Sequence, residues 1–206
     1  MGTLILLRHG QSTWNLENRF TGWIDVPLTP QGEREAEEAG RLLRDFKIDV
    51  AYTSDLIRAI DTLTIALRAA RQENVPMRKD KALRERMYGD LQGLNKAEVA
   101  RQYGDEQVKL WRRSYDIAPP KGESLKDTAE RTLPYFNSVI LPDVTAGKTV
   151  LISAHGNSLR AIVMELDHLS KAEVLELNIP NGVPIVYEID EKGNVLAKKD
   201  LVPAVD

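Results

Sequence analysis

The sequence predicts an α/β fold with a mainly parallel central sheet and helices on both faces. Three observations carry that expectation. The run Thr3-Leu4-Ile5-Leu6-Leu7 ends abruptly in Arg8-His9-Gly10. A short apolar run bounded by glycine suits a strand buried on both faces, although periodicity alone also admits a buried helical segment. A second run, Thr149-Val150-Leu151-Ile152-Ser153-Ala154, ends in His155-Gly156-Asn157. Between them, apolar runs alternate with segments of helical periodicity, the pattern of parallel strands joined by crossover helices.

The elements follow in order. Leu16 to Leu28 reads as a loop, with Gly22 and Pro27 as breakers. Thr29-Pro30 starts a helix, threonine as N-cap and proline at the first helical position. Ala36, Ala39, Leu43 and Phe46 form its apolar face. A short strand over 48–52 leads to a helix capped near Ser54 or Asp55, with Leu56, Ile60, Leu63 and Leu67 buried and Arg58 in its first turn. A third strand within 75–83 empties into Arg84-Glu85-Arg86-Met87-Tyr88-Gly89. Residues 96–103 and 106–115 read as short helices. Residues 123–141 read as a long one, kinked at Pro134. A helix over 158–166 follows the fourth strand, and 183–189 with 195–201 alternate as a hairpin. No internal repeat or boundary divides the chain, so one domain over 1–206 is expected.

Composition narrows the function. The chain of 206 residues has no cysteine, and with it no disulfide, thiolate metal site or cysteine nucleophile. Three histidines leave little material for a histidine-rich zinc cage. No apolar stretch approaches the roughly 20 residues that span a bilayer. No signal peptide is recognised at the start, so a cytoplasmic location without membrane contact is the expectation. A net charge of −3 speaks against broad nucleic-acid binding. An anionic ligand would therefore need a local gathering of arginines.

Such a gathering is what the strand ends deliver. Ligands of open α/β sheets bind outside the carboxyl ends of the strands. A lone histidine after a strand is ordinarily structural, but here two of the three stand in matched positions, one behind an arginine. Parallel neighbouring strands would bring His9 and His155 to one sheet edge. Arg8 and Arg58 follow strand ends, and Arg112, Arg113 and Lys96 can fold over from the middle of the chain. Guanidinium groups suit phosphate because they donate in a planar fork and stay charged. A neutral histidine can attack phosphorus and carry the phosphoryl group. His155, if protonated, and the helix starting near Asn157 would stabilise the transferring charge. Glu85 can move a proton, although its spacing alone does not single it out. Arg112-Arg113 would ordinarily be a solvated helix face, and both can reach one ligand only near a helix end or over a pocket. Trp14, Trp23 and Trp111 read as packing, and His168 as structural.

At this point the residues resemble a known family. Arg8-His9-Gly10 is similar to the signature of the histidine phosphatase superfamily. Arg8-His9-Gly10-Gln11-Ser12 with Trp14-Asn15 resembles its cofactor-dependent phosphoglycerate mutase branch, as do 18–23, Glu85-Arg86 with Tyr88-Gly89, 93–98, 111–115, 154–160 and 184–188. The likeness runs nearly end to end. It implies a phosphoglycerate mutase-like fold and interconversion of 2-phosphoglycerate and 3-phosphoglycerate, primed by 2,3-bisphosphoglycerate and needing no metal. By this match His9 carries the phosphoryl group, Glu85 is the acid/base and His155 stabilises the group in transfer, with Arg8 and Arg58 assisting. Arg8, Asn15, Arg58, Arg112, Arg113 and Asn157 would hold phosphate. Thr21, Gly22, Tyr88 and Lys96 would hold the substrate body or carboxylate. Gly10, Gln11, Ser12 and Gly156 complete the substrate-binding set. The partners implied are small-molecule phosphoglycerates, and a homo-oligomer, dimer or tetramer, is admitted.

Three departures stand out. The connection from Pro119 to Leu125 is short where longer relatives carry an insertion. The sequence stops at Asp206 where many have a mobile tail. Met87 stands where many have histidine. The first two predict a more open site with more hydrolytic leakage. The alternative is a histidine-type phosphatase acting on a small phosphorylated metabolite, for which Lys96 and the Trp111-Arg112-Arg113 block would be idle. A silent binding module would have no use for His9, Glu85 and His155 together. A dinucleotide-binding domain lacks its glycine fingerprint after the first strand.

Overall fold

A computed structural model describes residues 1–203; the last three residues, on which the expectation of a missing tail rests, lie outside the described residues. In chain order the elements are β1 (Gly2–Arg8), α1 (Thr13–Leu16), α2 (Pro30–Leu42), β2 (Val50–Thr53), α3 (Ile57–Ala69), β3 (Met77–Lys79), α4 (Lys96–Tyr103) and α5 (Asp105–Arg113). They continue with α6 (Leu125–Tyr135), α7 (Leu141–Thr145), β4 (Thr149–Ala154), α8 (Gly156–Leu166), α9 (Lys171–Glu176), β5 (Ile185–Ile189) and β6 (Val195–Asp200). The six strands form one sheet in the order β3-β2-β4-β1-β5-β6. The first four are mutually parallel, and the β5–β6 hairpin adds antiparallel on β1.

The alternating side chains of β1 explain why the sheet needs helices on both faces. Leu4 and Leu6 enter one core with Tyr52, Ile152, Phe136, Ile140 and Ile162, beneath α6, α7 and α8. Ile5 and Leu7 enter the other with Ala39, Leu43, Leu63, Ala66 and Leu151, beneath α2 and α3. All four β1 residues are fully buried.

Several boundaries differ from expectation for local reasons. The helix expected to be capped by Ser54 or Asp55 begins at Ile57, with Leu56 at the N-cap and no side-chain cap. Ser54 is instead drawn to His155 and Asp55 to Arg84. The helix expected from Ser158 starts two residues earlier, directly behind His155. The helix expected over 123–141 instead runs over 125–145, and its regular turn is lost just past Pro134, which has no N–H to return to the previous turn. The chain widens into a π-helical turn over Phe136–Ile140 before α7 resumes. Phe46 lies beyond the end of α2 yet still packs on its core. Neither α1 nor α9 was expected.

One contact seats the first strand's exit turn. A Cβ on Gly10 would lie 2.2 Å from the carbonyl oxygen of Gly32, and one on Gly32 would lie 2.1 Å from that of Gln11. The turn after β1 thus sits backbone to backbone on the first turn of α2. Gly10 N–H also donates to Thr62 Oγ1 of α3 at 3.0 Å, and Thr62 donates to the Arg58 carbonyl at 2.7 Å. Gly32→Ala would force the two segments apart. Thermal unfolding should show a loss of roughly 1–3 kcal/mol, the usual cost of overpacking a closed contact; an unchanged Tm would refute the contact's importance.

Candidate active site

The parallel register of β1 and β4 pairs Arg8 with Ala154, so the next residue of each strand is a histidine. His9 N–H donates to the Ala154 carbonyl at 3.0 Å. The two imidazoles lie with ring centroids 5.1 Å apart and planes at 60°, both almost wholly closed off from solvent. His9 Nδ1 is 2.7 Å from the Gly10 carbonyl oxygen. Since a carbonyl only accepts, Nδ1 carries the hydrogen and Nε2 keeps its lone pair. Burial holds the His9 pKa well below the usual imidazole range, and Arg58 and Arg8 push the same way. His9 is therefore a neutral base with one nitrogen aimed away from its anchor.

His155 is held by β2, where Thr53 pairs with Ser153. Ser54 Oγ, one residue on, lies 2.6 Å from His155 Nε2. Burial, then Arg58 and His9, also lower the His155 pKa well below the ordinary value. The protonated state entertained from the sequence is thus not that of the unliganded protein.

Beside the histidines opens a cleft, lined by their chain neighbours Arg8 and Gly156 and by neither imidazole. Its walls carry six cationic side chains, Arg8, Arg19, Lys96, Arg112, Arg113 and Arg160, against one carboxylate, Glu85. Glu85 Oε1 accepts from the backbone N–H groups of Arg86 at 2.7 Å and Asn157 at 3.0 Å, which leaves Oε2 for a ligand. Arg112 and Arg113 share the last turn of α5, the helix end required for both to reach one cleft. Lys96 Nζ sits 5.8 Å from the Phe20 ring centroid. Of the arginines that line the cleft, Arg8 and Arg160 each have a buried Nε with no partner within the protein. Unsatisfied buried donors beside a cationic wall call for an anionic ligand. Among the described residues no group of histidine, cysteine and carboxylate side chains is arranged to hold a metal ion.

The family follows from a comparison over nearly the whole chain. Residues 4–200 match the model of the histidine phosphatase superfamily, branch 1. The chain belongs to the histidine phosphatase superfamily. Among superfamily relatives, a 2,3-bisphosphoglycerate-dependent phosphoglycerate mutase of Parvibaculum lavamentivorans is 56% identical, covering 97% of this chain and 96% of its own. One of Lachnoclostridium phytofermentans is 50% identical, covering 96% and 90%. That alignment runs over 225 positions, more than this chain possesses. Among solved superfamily structures, a mycobacterial glucosyl-3-phosphoglycerate phosphatase superposes with a TM-score of 0.81 at 29% identity, covering 91% of this chain and 92% of its own.

The structure brings together most, though not all, of the superfamily residues expected from sequence. Asn15, Thr21, Gly22, Tyr88, Gly156 and Asn157 line the cleft with Arg8, Glu85, Lys96, Arg112 and Arg113. Arg58 does not line it. It is buried behind, donating to the Gly22 carbonyl at 2.7 Å and the Ile24 carbonyl at 2.9 Å, its pKa lowered to about 10 by burial. It remains cationic at neutral pH and ties down the loop that carries Thr21 and Gly22. Gln11 and Ser12 are engaged elsewhere. Gln11 Oε1 accepts from Thr29 at 2.8 Å, and Ser12 caps α1 in a reciprocal pair with Asn15. Gly10 acts through its carbonyl and its closeness to α2. Sequence reasoning assigned no site role to Arg19, Phe20, Arg160, Asn178 or Ile179, which also line the cleft, or to Ser54 and Thr62 behind the histidines. The segment before Ile179 had a visible signal in Ser170-x-x-Glu173, a capping box that starts α9.

Lys96 gives the site a measurable pH response. Burial, then Arg112 and Arg8, lower its pKa to about 8. Its ammonium form predominates below that value and is lost above it. KM for an anionic substrate should rise between pH 7 and pH 9 while kcat moves less. Lys96→Arg, charged throughout, should flatten that rise; a Lys96→Met enzyme that kept the wild-type rise would assign it to another group.

Proposed function

We propose that this chain, acting as a single domain, is a 2,3-bisphosphoglycerate-dependent phosphoglycerate mutase that interconverts 2-phosphoglycerate and 3-phosphoglycerate through a phosphohistidine. The observation that carries the reading is the pairing of a neutral, anchored histidine with a second histidine 5.1 Å away, their chain neighbours Arg8 and Gly156 lining a cleft of six cations and one available carboxylate. Two phosphates and a carboxylate fit that charge. The buried, unpartnered nitrogens of Arg8 and Arg160 supply donors for a bisphosphorylated acid. Arg8, Arg112, Arg113, Lys96, Asn15 and Asn157 would hold it, and when bound it supplies the first phosphoryl group.

The chemistry follows from the side chains. His9 Nε2 attacks phosphorus as the ester P–O bond breaks, and Glu85 Oε2 gives a proton to the departing glycerate oxygen. In the reverse sense a substrate hydroxyl yields its proton to Glu85, its oxygen attacks phosphorus, and the N–P bond breaks. His155 is neutral in the empty site. An incoming phosphoryl group offsets the guanidinium field that lowers its pKa, so its proton affinity rises as charge arrives. Lys96, Arg112 and Arg113 keep the glycerate in place between half-reactions, which favours return of the phosphoryl group over release. Cytoplasmic action agrees with the absence, among the described residues, of any helix long and apolar enough to cross a membrane.

A phosphatase reading is favoured by one observation, the likeness to glucosyl-3-phosphoglycerate phosphatase. A single experiment separates the two. In an enzyme-linked assay on 3-phosphoglycerate with chelator present, 2-phosphoglycerate formation should rise with catalytic 2,3-bisphosphoglycerate. His9→Ala should form no acid-labile phosphoenzyme, and Glu85→Gln should lose about 10²–10⁴-fold in turnover. Phosphate release without isomerisation would make the protein a phosphatase, and wild-type turnover by His9→Ala would reject the nucleophile.

A further inference from the structure

Arg131 of α6 is the most fully engaged arginine outside the cleft. Its Nη1 donates to the carbonyls of Ala82 at 3.0 Å and Arg84 at 3.1 Å, and its Nη2 to those of Arg84 at 3.1 Å and Glu85 at 2.7 Å. Its Nε and Nη2 grip Glu123 at 2.8 Å and 3.0 Å. Every N–H of this guanidinium is spent on protein, so it has none for a ligand. The Glu85 carbonyl receives a second donor, Trp23 Nε1 at 2.7 Å, and the Trp23 ring lies 5.6 Å from the Arg131 guanidinium carbon. Glu123 closes the arrangement. Its Oε1 accepts from Met87 N–H at 2.8 Å, and its own N–H donates to the Met87 carbonyl at 2.7 Å. The residues flanking Glu85 are thus clamped from behind, while its carboxylate is oriented from the front by two backbone amides.

Glu123 belongs to the connection from Pro119 to Leu125. The connection lies directly on the Glu85 loop, with Asp90 N–H donating to the Pro120 carbonyl at 3.0 Å. It does not line the cleft.

We propose that Arg131, oriented by Glu123 and seconded by Trp23, is a positioning residue that sets the proton-transferring carboxylate of Glu85. The inference rests on Glu85 being the acid/base. Proton transfer tolerates little misplacement, so losing the clamp should mimic losing the acid. Its signature is dependence on the leaving group. A glycerate alkoxide leaves only with a proton, whereas the nitrophenolate of p-nitrophenyl phosphate leaves without one.

The test is rapid-quench measurement of acid-labile phosphoenzyme formed from 2,3-bisphosphoglycerate, beside nitrophenolate release from p-nitrophenyl phosphate. Both are run on wild type, Glu85→Gln, Arg131→Met and the double variant. Arg131→Met should lose about 10²-fold on the bisphosphate, the lower range for a general acid. It should stay near wild type on the aryl ester, and Arg131→Met should add nothing in the Glu85→Gln background. In the ligand-free protein, deuterium uptake across 84–88 should rise while β1 and β4 stay protected. Equal losses on both esters, or additive losses in the double variant, would overturn the proposal. If Arg131→Met fails to fold, Trp23→Phe, which removes one donor to the same carbonyl and keeps an aromatic ring there, must show a smaller loss confined to the bisphosphate, or the proposal falls. If Glu85→Gln itself shows no selectivity between the esters, the acid/base reading fails instead.

Discussion

The active edge depends on one backbone register. Because Arg8 pairs with Ala154 in a parallel ladder, the chain leaves β1 and β4 at the same height, and the next residue on each side is a histidine. The His9 N–H to Ala154 carbonyl bond extends that ladder by one step. A slip of one residue would turn Leu4 and Leu6 into the opposite core and separate the two rings. The same stack of apolar side chains that stabilises the sheet therefore sets the spacing of the chemistry, and the Gly10–Gly32 contact fixes the turn that follows.

Around that edge the protein solves an electrostatic problem by choosing the partners of its cations. Buried guanidinium groups need acceptors, yet pairing them with carboxylates would neutralise the potential that draws phosphate. Here the acceptors are mostly main-chain carbonyls of irregular segments. Arg8 donates to Ile179, Arg58 to Gly22 and Ile24, Arg113 to Leu177 and Arg160 to Val174. Carboxylate partners occur farther out, as in Arg84 with Asp55 and Arg41 with Glu37 and Glu38. The carbonyls satisfy the donors without cancelling their charge. The same bonds hold the loops that wall the cleft.

What could be read from the sequence divides along the same line. His9, His155, Arg8 and the buried strands were legible because period, glycine boundaries and residue type coincide at strand ends. Thr29-Pro30 announced α2 because a cap is a local code. Ser54 misled for the same reason, being local cap chemistry diverted by a partner 101 positions away. Arg58 was expected to hold phosphate at the site, but its hold on Gly22 and Ile24 is a long-range arrangement with no sequence period. Thr62 stands one helical turn beyond Arg58 and reads as a polar gap in an apolar face. Arg160 and Arg131 look like ordinary helix arginines until the chain is folded. Side chains whose work is to brace distant loops leave no spacing signature, since their partners are backbone carbonyls that every residue has.

Glu85 shows what this economy achieves. A carboxylate facing six cations would ordinarily close into an ion pair and lose its ability to exchange a proton. Among the described residues Glu85 forms no ion pair; one oxygen takes two backbone amides and the other is left to the cleft. The guanidinium that approaches it most directly, Arg131, does so through the Glu85 carbonyl, behind the side chain. Positive charge thus fixes the residue's backbone without touching its acid, and phosphate affinity and proton transfer can occupy one small cleft without competing for the same atoms.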